Sequence, residues 1–314
     1  MTLNVLYCFD SGYDKQAQCS IYSLLQNVSE TINISIIHKN HNDEKFLNKK
    51  ILGHPNLKEL KVSRFNNKNM KFPNLHGAHI SEATYYRLYL ETYINSEVDY
   101  LLYIDADIIC FSDPLIEIQN QIKKLNNSKF ILSAKTETTL TDGVKRIGLS
   151  SDRYFNAGVL LINYQLWLKS KTTDGLINLL FSDIPKLDYW DQDLLNIYFD
   201  NAFDEMNEIL NYQITMDKNK RIDVLESPEI VSSEKILIHY SGKFKPWNVK
   251  GILDKRSSYY QRIYRELFQD KYHLSYNYKK NALIDLLNGF RNKRILDLDF
   301  PFTFVYLVIK SLFK

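Results

Sequence analysis

Residues 100–111, YLLYIDADIICF, form an apolar run of strand length that stops at two carboxylates, Asp105 and Asp107. Residues 100–104 lack polar alternation, which predicts a strand buried on both faces, inside a sheet that helices cover. In extended backbone, side chains two apart share a face, so Asp105 and Asp107 are expected to converge on one point. In open α/β sheets the ligand crevice lies outside the carboxyl ends of the strands, where this pair would sit. Oxygen-only ligation of that kind suits Mg²⁺ or Mn²⁺ with phosphate oxygens completing the shell. Asp-x-Asp is a short pattern that also occurs in solvated turns, so other stretches must corroborate the metal reading.

The first sixty residues set the fold class. Residues 3–9 read as an apolar strand ending at Asp10, Ser11, Gly12 and Tyr13, and residues 15–27 carry helical spacing in Ile21, Leu24 and Leu25. A second strand is expected over 32–37, a charged helix over 43–52 and a third strand over 57–62. Strands alternating with helices predict an α/β chain with a Rossmann-like, doubly wound, mostly parallel sheet and flanking helices. No GxGxxG follows the first strand and no GxxxxGK[ST] occurs, so a metal would have to hold any phosphates.

Further along, Ser81 is a plausible N-cap for a helix over 82–94 that carries Arg87, whose plain alternative is a surface ion pair. Residues 130–134 and 155–163 read as strands, the second opened by Asn156, Ala157 and Gly158, small enough for a ligand to approach the backbone. In YWDQDLLN (189–196), Asp191, Gln192 and Asp193 stand at a helix start, where capping is as good a reading as catalysis. A last short strand over 236–238 delivers His239, with Gly242, Lys243 and Lys245 just after it, which suits a site for metal plus phosphate.

Charge separates the chain into two parts. Residues 243–314 carry a net +9 and residues 1–242 a net −6, although the total is only +3. With 45% hydrophobic content in 314 residues, a large core is within reach: one big domain, residues 1–250, and a helical, basic and aromatic C-terminal segment, residues 251–314. Residues 256–268, with Tyr272, Tyr276 and Tyr278 beyond them, suit amphipathic helices, and the apolar run 300–309 is followed by Lys310 and Lys314. Such a segment can lie on an anionic membrane surface, or pack on the main domain as core. No nucleic-acid signature accompanies the basic charge. Cys8, Cys19 and Cys110 lack metal or disulfide spacing and read as reduced thiols of a cytoplasmic protein. No signal peptide and no membrane-spanning apolar run of about 18 residues is present, so any membrane association is expected to be peripheral.

Taken together and in order, FDSGY, HISEATYYRLYL, YIDAD, FNAGVLLIN with WDQDLLN, and HYSGKFKPW resemble glycosyltransferase family 8, the retaining sugar-nucleotide transferases that include lipopolysaccharide galactosyltransferases, over roughly residues 1–250. The resemblance implies a GT-A fold that binds a UDP-sugar with Mn²⁺, Mg²⁺ being the other candidate. It implies uracil near Cys8, Asp10 and Tyr13, metal on Asp105, Asp107 and His239 with Ala106 beside the donor, diphosphate on Gly242 and Lys245, and donor sugar near Arg87, Asn156, Ala157, Asp191 and Gln192. Gly12 departs from the polar residue common in the family and loses a donor-ribose contact; Glu137 is the candidate for the acidic residue that follows the strand ending near Ala134.

The implied reaction moves a hexose, galactose before glucose, to a hydroxyl of a glycan acceptor, a lipid-linked capsular or lipopolysaccharide intermediate. Gln192 would stand at the sugar's far face, with same-face attack by the acceptor favoured over covalent catalysis by Asp191. Two other readings are an Mg²⁺-dependent aspartyl-phosphate phosphatase, whose Asp pair normally lies near the chain start, and a non-catalytic sugar-nucleotide-binding protein.

Overall fold

The computed structural model describes residues 2–66, 72–73, 81–137, 142–184, 186–215, 234–275 and 279–312. His79 and Ile80 of the stretch HISEATYYRLYL, Tyr276, Tyr278 and Lys314 lie outside the described residues. The first half of the chain runs β1 (Asn4–Phe9), α1 (Asp14–Asn27), β2 (Ile32–His38), α2 (Lys49–Leu52), β3 (Leu57–Arg64), α3 (Leu90–Tyr93), β4 (Tyr100–Ile104), β5 (Ile108–Cys110), α4 (Leu115–Ser128), β6 (Leu132–Thr136) and α5 (Gly143–Ile147). It continues through β7 (Phe155–Asn163), α6 (Tyr164–Lys169), α7 (Thr172–Leu180), α8 (Trp190–Phe199), β8 (Asp204–Glu205), β9 (Tyr212–Gln213), β10 (Leu237–His239), α9 (Val249–Ile252), α10 (Ser258–Phe268), α11 (Lys279–Arg291) and α12 (Pro301–Leu312).

The main sheet has the order β3-β2-β1-β4-β7-β6-β8. β1 lies inside it, parallel to β2 and β4, and its side chains alternate between two cores. Val5, Tyr7 and Phe9 pack with α1 residues such as Ile21 and Leu24, whereas Leu6 and Cys8 pack with Tyr85, Tyr86 and Leu88. Burial on both faces is what the unbroken apolar runs of β1 and β4 require. The sheet is mostly parallel, as expected, but β7 runs antiparallel to both β4 and β6. Neighbouring antiparallel strands need no crossover helix, and among the described residues only the short α5 lies between β6 and β7.

Three local expectations change. The segment after Ser81 is a 3₁₀ helix over Glu82–Tyr89 that passes into α3, although Ser81 caps it by accepting from the Ala83 N–H at 3.2 Å. All side chains from Tyr85 to Leu90 are buried, so this segment threads the core instead of lying on it with one apolar face. The charged helix expected over 43–52 divides into a 3₁₀ turn at Glu44–Phe46 and α2, because Asn48 starts the helix afresh by accepting from the Lys50 N–H at 2.9 Å. Finally, Asp105, Ala106 and Asp107 form a tight turn between β4 and β5 instead of continuing in extended backbone.

β5 leaves the main sheet and joins β10 and β9 in a small one. Its antiparallel register with β10 sets His239 opposite Ile108, directly beside Asp107. α10 packs on α1, and its Tyr260, Ile263 and Tyr264 share a core with Cys19 and Trp247. The aromatics of residues 256–268 are therefore core. α11 and α12 pack with α9 through Ala282, Leu286, Phe304 and Val308.

Candidate active site

A cavity of about 790 Å³ opens at the carboxyl ends of β1 and β4, where the sheet order reverses. From the end of β1 it receives Cys8, Asp10 and Tyr13. Asp10 accepts from the Gly12 N–H at 2.8 Å, and a Cβ at position 12 would sit 3.0 Å from that same carboxylate oxygen. Tyr13 lines the cavity and stands edge-on to Trp247, ring centroids 6.1 Å apart. The three cysteines are unpaired and buried, and burial pushes the Cys8 thiol far up, so it is a neutral part of the wall.

The turn between β4 and β5 contributes Asp105, Ala106 and Asp107. The expected convergence is achieved, by the turn and not by strand alternation: ligand atoms of Asp105, Asp107 and His239 all lie within 4.8 Å of one another. Asp105 receives the Tyr103 hydroxyl at 2.5 Å and Arg87 Nη2 at 3.4 Å. Asp107 Oδ2 receives Lys245 Nζ at 2.5 Å, while its Oδ1, buried 3.4 Å from His239 Nε2, accepts no hydrogen bond among the described residues. Burial raises the pKa of Asp105, Arg87 offsetting only part of it; at Asp107 burial is outweighed chiefly by the Lys245 ammonium, and the carboxyl falls below its usual range. Burial also lowers the pKa of His239 and keeps its imidazole neutral, the form that ligates. An orphaned carboxylate oxygen, a second carboxylate and a neutral imidazole fit a divalent cation.

Behind His239 lies a hydrogen-bonded chain that joins the expected Asn156 and Glu137 to two amides without a sequence signal, Asn211 and Gln213. His239 Nδ1 lies 3.0 Å from Asn211 Oδ1, and Asn211 donates to Asn156 Oδ1 at 2.9 Å. Asn156 in turn donates to Glu137 at 3.2 Å, and Gln213 does so at 2.7 Å. With Nδ1–H directed at Asn211, the Nε2 lone pair faces Asp107. Gly158, expected to admit a ligand, instead admits this histidine: a Cβ there would lie 2.8 Å from His239 Nδ1 and closer still to Cε1.

The far wall comes from β7 and α8. Gln192 lines the cavity, its Oε1 accepting from the Ala157 N–H at 2.9 Å and its Nε2 donating to the Tyr154 hydroxyl at 3.1 Å. Ala157 takes part through its backbone, since its carbonyl also accepts from Arg87. Asp191 does not line the cavity; it lies behind Arg87, paired with Nε at 2.6 Å and accepting from Thr84. Burial works against the charge of Arg87, but Asp191 and Asp105 more than offset it and hold the guanidinium charged. Asp193 takes the capping role, accepting from the Tyr189 N–H at 2.8 Å and from Arg146 through both oxygens at 2.7 Å. Tyr189 and Trp190 add an aromatic rim, and Trp190 is held at φ +42 as α8 begins.

After His239 the chain turns at Gly242, φ +78, and runs along the cavity through Lys243 and Phe244 to Lys245, whose ammonium meets Asp107. The Lys245 ammonium also donates to the Tyr240 carbonyl at 2.7 Å; burial disfavours its charge, but Asp107 keeps it protonated. Ser275, Asn281 and Asp285, the last two from α11, complete the wall. A second cluster, Asp14, His38 and His41, is close enough for a metal by distance. There, however, His38 Nδ1 accepts from two backbone N–H groups at 2.9 Å, so Nε2 carries the proton and donates to Asp14 at 3.0 Å. That cluster is a hydrogen-bonded loop anchor.

The family model for glycosyl transferase family 8 matches residues 4–251. The chain is 30% identical over 181 residues to lipopolysaccharide 1,3-galactosyltransferase of Salmonella typhimurium, covering 54% of this chain and 50% of that one. It is 26% identical over 253 residues to lipopolysaccharide 1,2-glucosyltransferase of Escherichia coli, covering 78% and 73%. The solved structure of the galactosyltransferase LgtC with donor and acceptor sugar analogues superposes with a TM-score of 0.60 at 19% identity, covering 84% of this chain and 96% of that one. The mostly parallel sheet with flanking helices is thus the GT-A architecture.

Proposed function

The chain belongs to glycosyltransferase family 8, and on that premise we propose that it transfers a hexose, galactose before glucose, from a UDP-sugar to a hydroxyl of a lipid-linked glycan, with retention of configuration. The observation that carries this reading is the convergence of Asp105, Asp107 and His239 at the floor of one cavity that also holds Tyr13, Arg87, Gln192 and Lys245. The family membership sets aside the phosphatase alternative.

A divalent cation on Asp105, Asp107 and His239, Mn²⁺ being favoured by the imidazole ligand, would neutralise charge on the leaving diphosphate. The chain's own residues supply the remainder. Tyr13 offers a ring face to the base at the cavity mouth. Lys245 reaches the diphosphate from Asp107, and Gly242, lacking a Cβ, leaves backbone N–H groups open to phosphate oxygens. Arg87, fixed by Asp191 and by the Ala157 carbonyl, points its remaining N–H groups at the donor sugar beside Asp105. Gln192 is tethered at both ends of its amide, which suits a group that shields the sugar's far face without forming a bond to it. The engagement of Asp191 with Arg87 and Thr84 favours same-face attack by the acceptor over a covalent step on that carboxylate.

For the acceptor, the outer faces of α11 and α12 support a lipid surface. Leu287 and Phe290 on α11 and Phe302 and Tyr306 on α12 are 59%, 52%, 90% and 59% exposed, with Arg291, Lys293, Arg294 and Lys310 around them. α11 presents Asn281 and Asp285 to the cavity, so a surface that docks on this helix would bring its acceptor to the cavity mouth. Among the described residues no helix is long and apolar enough to cross a membrane.

The test is UDP release by the purified protein from UDP-galactose, UDP-glucose and their N-acetyl forms, each with Mn²⁺ or with EDTA. Mn²⁺-dependent release from UDP-galactose is the expected result. Failure to bind UDP, by calorimetry, would overturn the reading.

A further inference from the structure

A cation on Asp107 and the Lys245 ammonium on the same carboxylate are competing occupants. Lys245 Nζ lies 2.5 Å from Asp107 Oδ2 and 2.7 Å from the Tyr240 carbonyl, so it already neutralises the carboxylate that His239 and Asp105 would share with a metal. A divalent ion on the orphaned Oδ1 would sit within a few ångströms of that ammonium, and two positive charges on one carboxylate repel strongly in a buried site. The backbone of Lys245 cannot yield instead. Its carbonyl is held by the Asn248 N–H at 2.9 Å and is packed so closely on Gly251 that a Cβ at position 251 would overlap it. Only the side chain can move, and it needs another anion to move to.

We infer that Lys245 is a gate on cation binding: it lowers the affinity of the acidic pair for a divalent ion until a nucleotide diphosphate draws its ammonium off Asp107. The inference rests on the nucleotide and metal reading given above and adds an order to it, nucleotide with or before cation. Its consequence has an unusual sign, since removing a residue from a phosphate site improves metal binding in the absence of phosphate.

The experiment is Mn²⁺ titration followed by the loss of the free-ion electron paramagnetic resonance signal, with and without UDP, on wild type, Lys245→Met, Lys245→Gln, Lys245→Arg and Asp107→Asn. Thermal melts establish that each variant is folded, and the two neutral variants stand in for each other. Without UDP, Lys245→Met or Lys245→Gln should bind Mn²⁺ at least about tenfold more tightly than wild type, a modest share of the repulsion expected at an effective dielectric constant of about 20. Lys245→Arg keeps the charge and should stay near wild type. UDP should tighten Mn²⁺ binding strongly in wild type and much less in the neutral variants. If wild type with UDP binds Mn²⁺ while the neutral variants alone bind no better than wild type alone, the gate is wrong and the metal site stands. If Mn²⁺ binds in no arm, or equally in Asp107→Asn, the metal reading itself fails, and the gate with it.

Discussion

His239 directs its Nδ1 to the side-chain oxygen of Asn211 at 3.0 Å, and Asn211 is fully buried. That contact selects the tautomer whose Nε2 faces Asp107, and ligand histidines depend on such partners for orientation. Replacing Asn211 with Leu should weaken Mn²⁺ binding in the presence of UDP by about 10- to 100-fold. It should also cost about 1–3 kcal/mol of stability, because Asn156 loses one of its two donors as well, keeping only the Gly158 N–H. Asn211→Asp retains the acceptor and should recover much of the metal affinity. Mn²⁺ titration and denaturant unfolding of the two variants check this.

Gly158 stands on the other side of the same ring. In Gly158→Ala the new methyl would overlap His239 Cε1, and the neighbouring Asn156 Oδ1 lies 3.0 Å away, so the imidazole must shift. The expected result is a loss of about 1–3 kcal/mol in stability together with weakened Mn²⁺ binding. A variant that melted like wild type and bound Mn²⁺ equally well would mean that His239 has room the structure does not show.

The strands that carry the site were legible because burial on both faces leaves unbroken apolar runs, as in β1 and β4. Asp105, Asp107 and His239 were legible for a related reason: each is a polar side chain at the edge of such a run. What could not be read was direction and pairing. The antiparallel course of β7 leaves no mark in FNAGVLLIN, and the transfer of β5 to a second sheet depends on a partner, β10, more than a hundred residues away. Asn211 gave no signal, lying between short elements with no periodic pattern. Tyr103 could have been found, since it shares a face with Asp105 two residues on and its hydroxyl is the one polar tip there. The aromatics of α10 left two readings open, because composition alone does not separate a ring that faces lipid from one that faces Trp247.

Asp191 and Arg87 form a buried pair whose two members are 3% and 7% exposed. Asp191→Ala leaves the guanidinium with Asp105, the Ala157 and Thr84 carbonyls and the Tyr103 ring, without its closest counter-charge, and should destabilise the fold by about 3–5 kcal/mol. Asp191→Asn preserves the shape and most contacts but frees Arg87 to lean on Asp105. UDP affinity should then hold while UDP-galactose affinity falls to that of UDP. Calorimetry with both ligands decides it; equal affinity of the variant and wild type for UDP-galactose would remove Arg87 and its partner from the donor-sugar site.

His273 locks the C-terminal part to the catalytic core. Its ring stacks between Trp247 and Tyr264, and its Nδ1 lies 2.5 Å from the Tyr260 hydroxyl. Burial, with Lys15 adding to it, pushes its pKa from 6.5 down to about 3. The unfolded chain therefore binds a proton that the folded chain refuses. The stabilisation is complete above the unfolded value and is lost as pH falls from about 6.5 towards 3, at up to about 1.4 kcal/mol per pH unit. His273→Asn should flatten the acid limb of stability against pH while lowering stability at pH 8, measured by urea unfolding. An unchanged acid slope would mean that the ring is solvated.

Leu287 on α11 and Phe302 on α12 belong to exposed stripes spaced one helical turn apart, Leu283, Leu287 and Phe290 on one helix and Phe302, Tyr306 and Ile309 on the other. Their buried counterparts, Leu286 and Phe304, already hold the two helices to α9, so the stripes are not needed to complete that core. The double variant Leu287→Glu and Phe302→Glu should fold and release UDP from its donor at the wild-type rate in solution. On vesicles containing phosphatidylglycerol it should lose binding by cosedimentation, whereas wild type should bind and do so less well as salt is raised, because the basic residues beside the stripes are screened. Equal partition of both proteins would place the lipid contact elsewhere. If wild type stayed in the supernatant at every salt concentration, a glycan free in solution would become the better acceptor for this cavity.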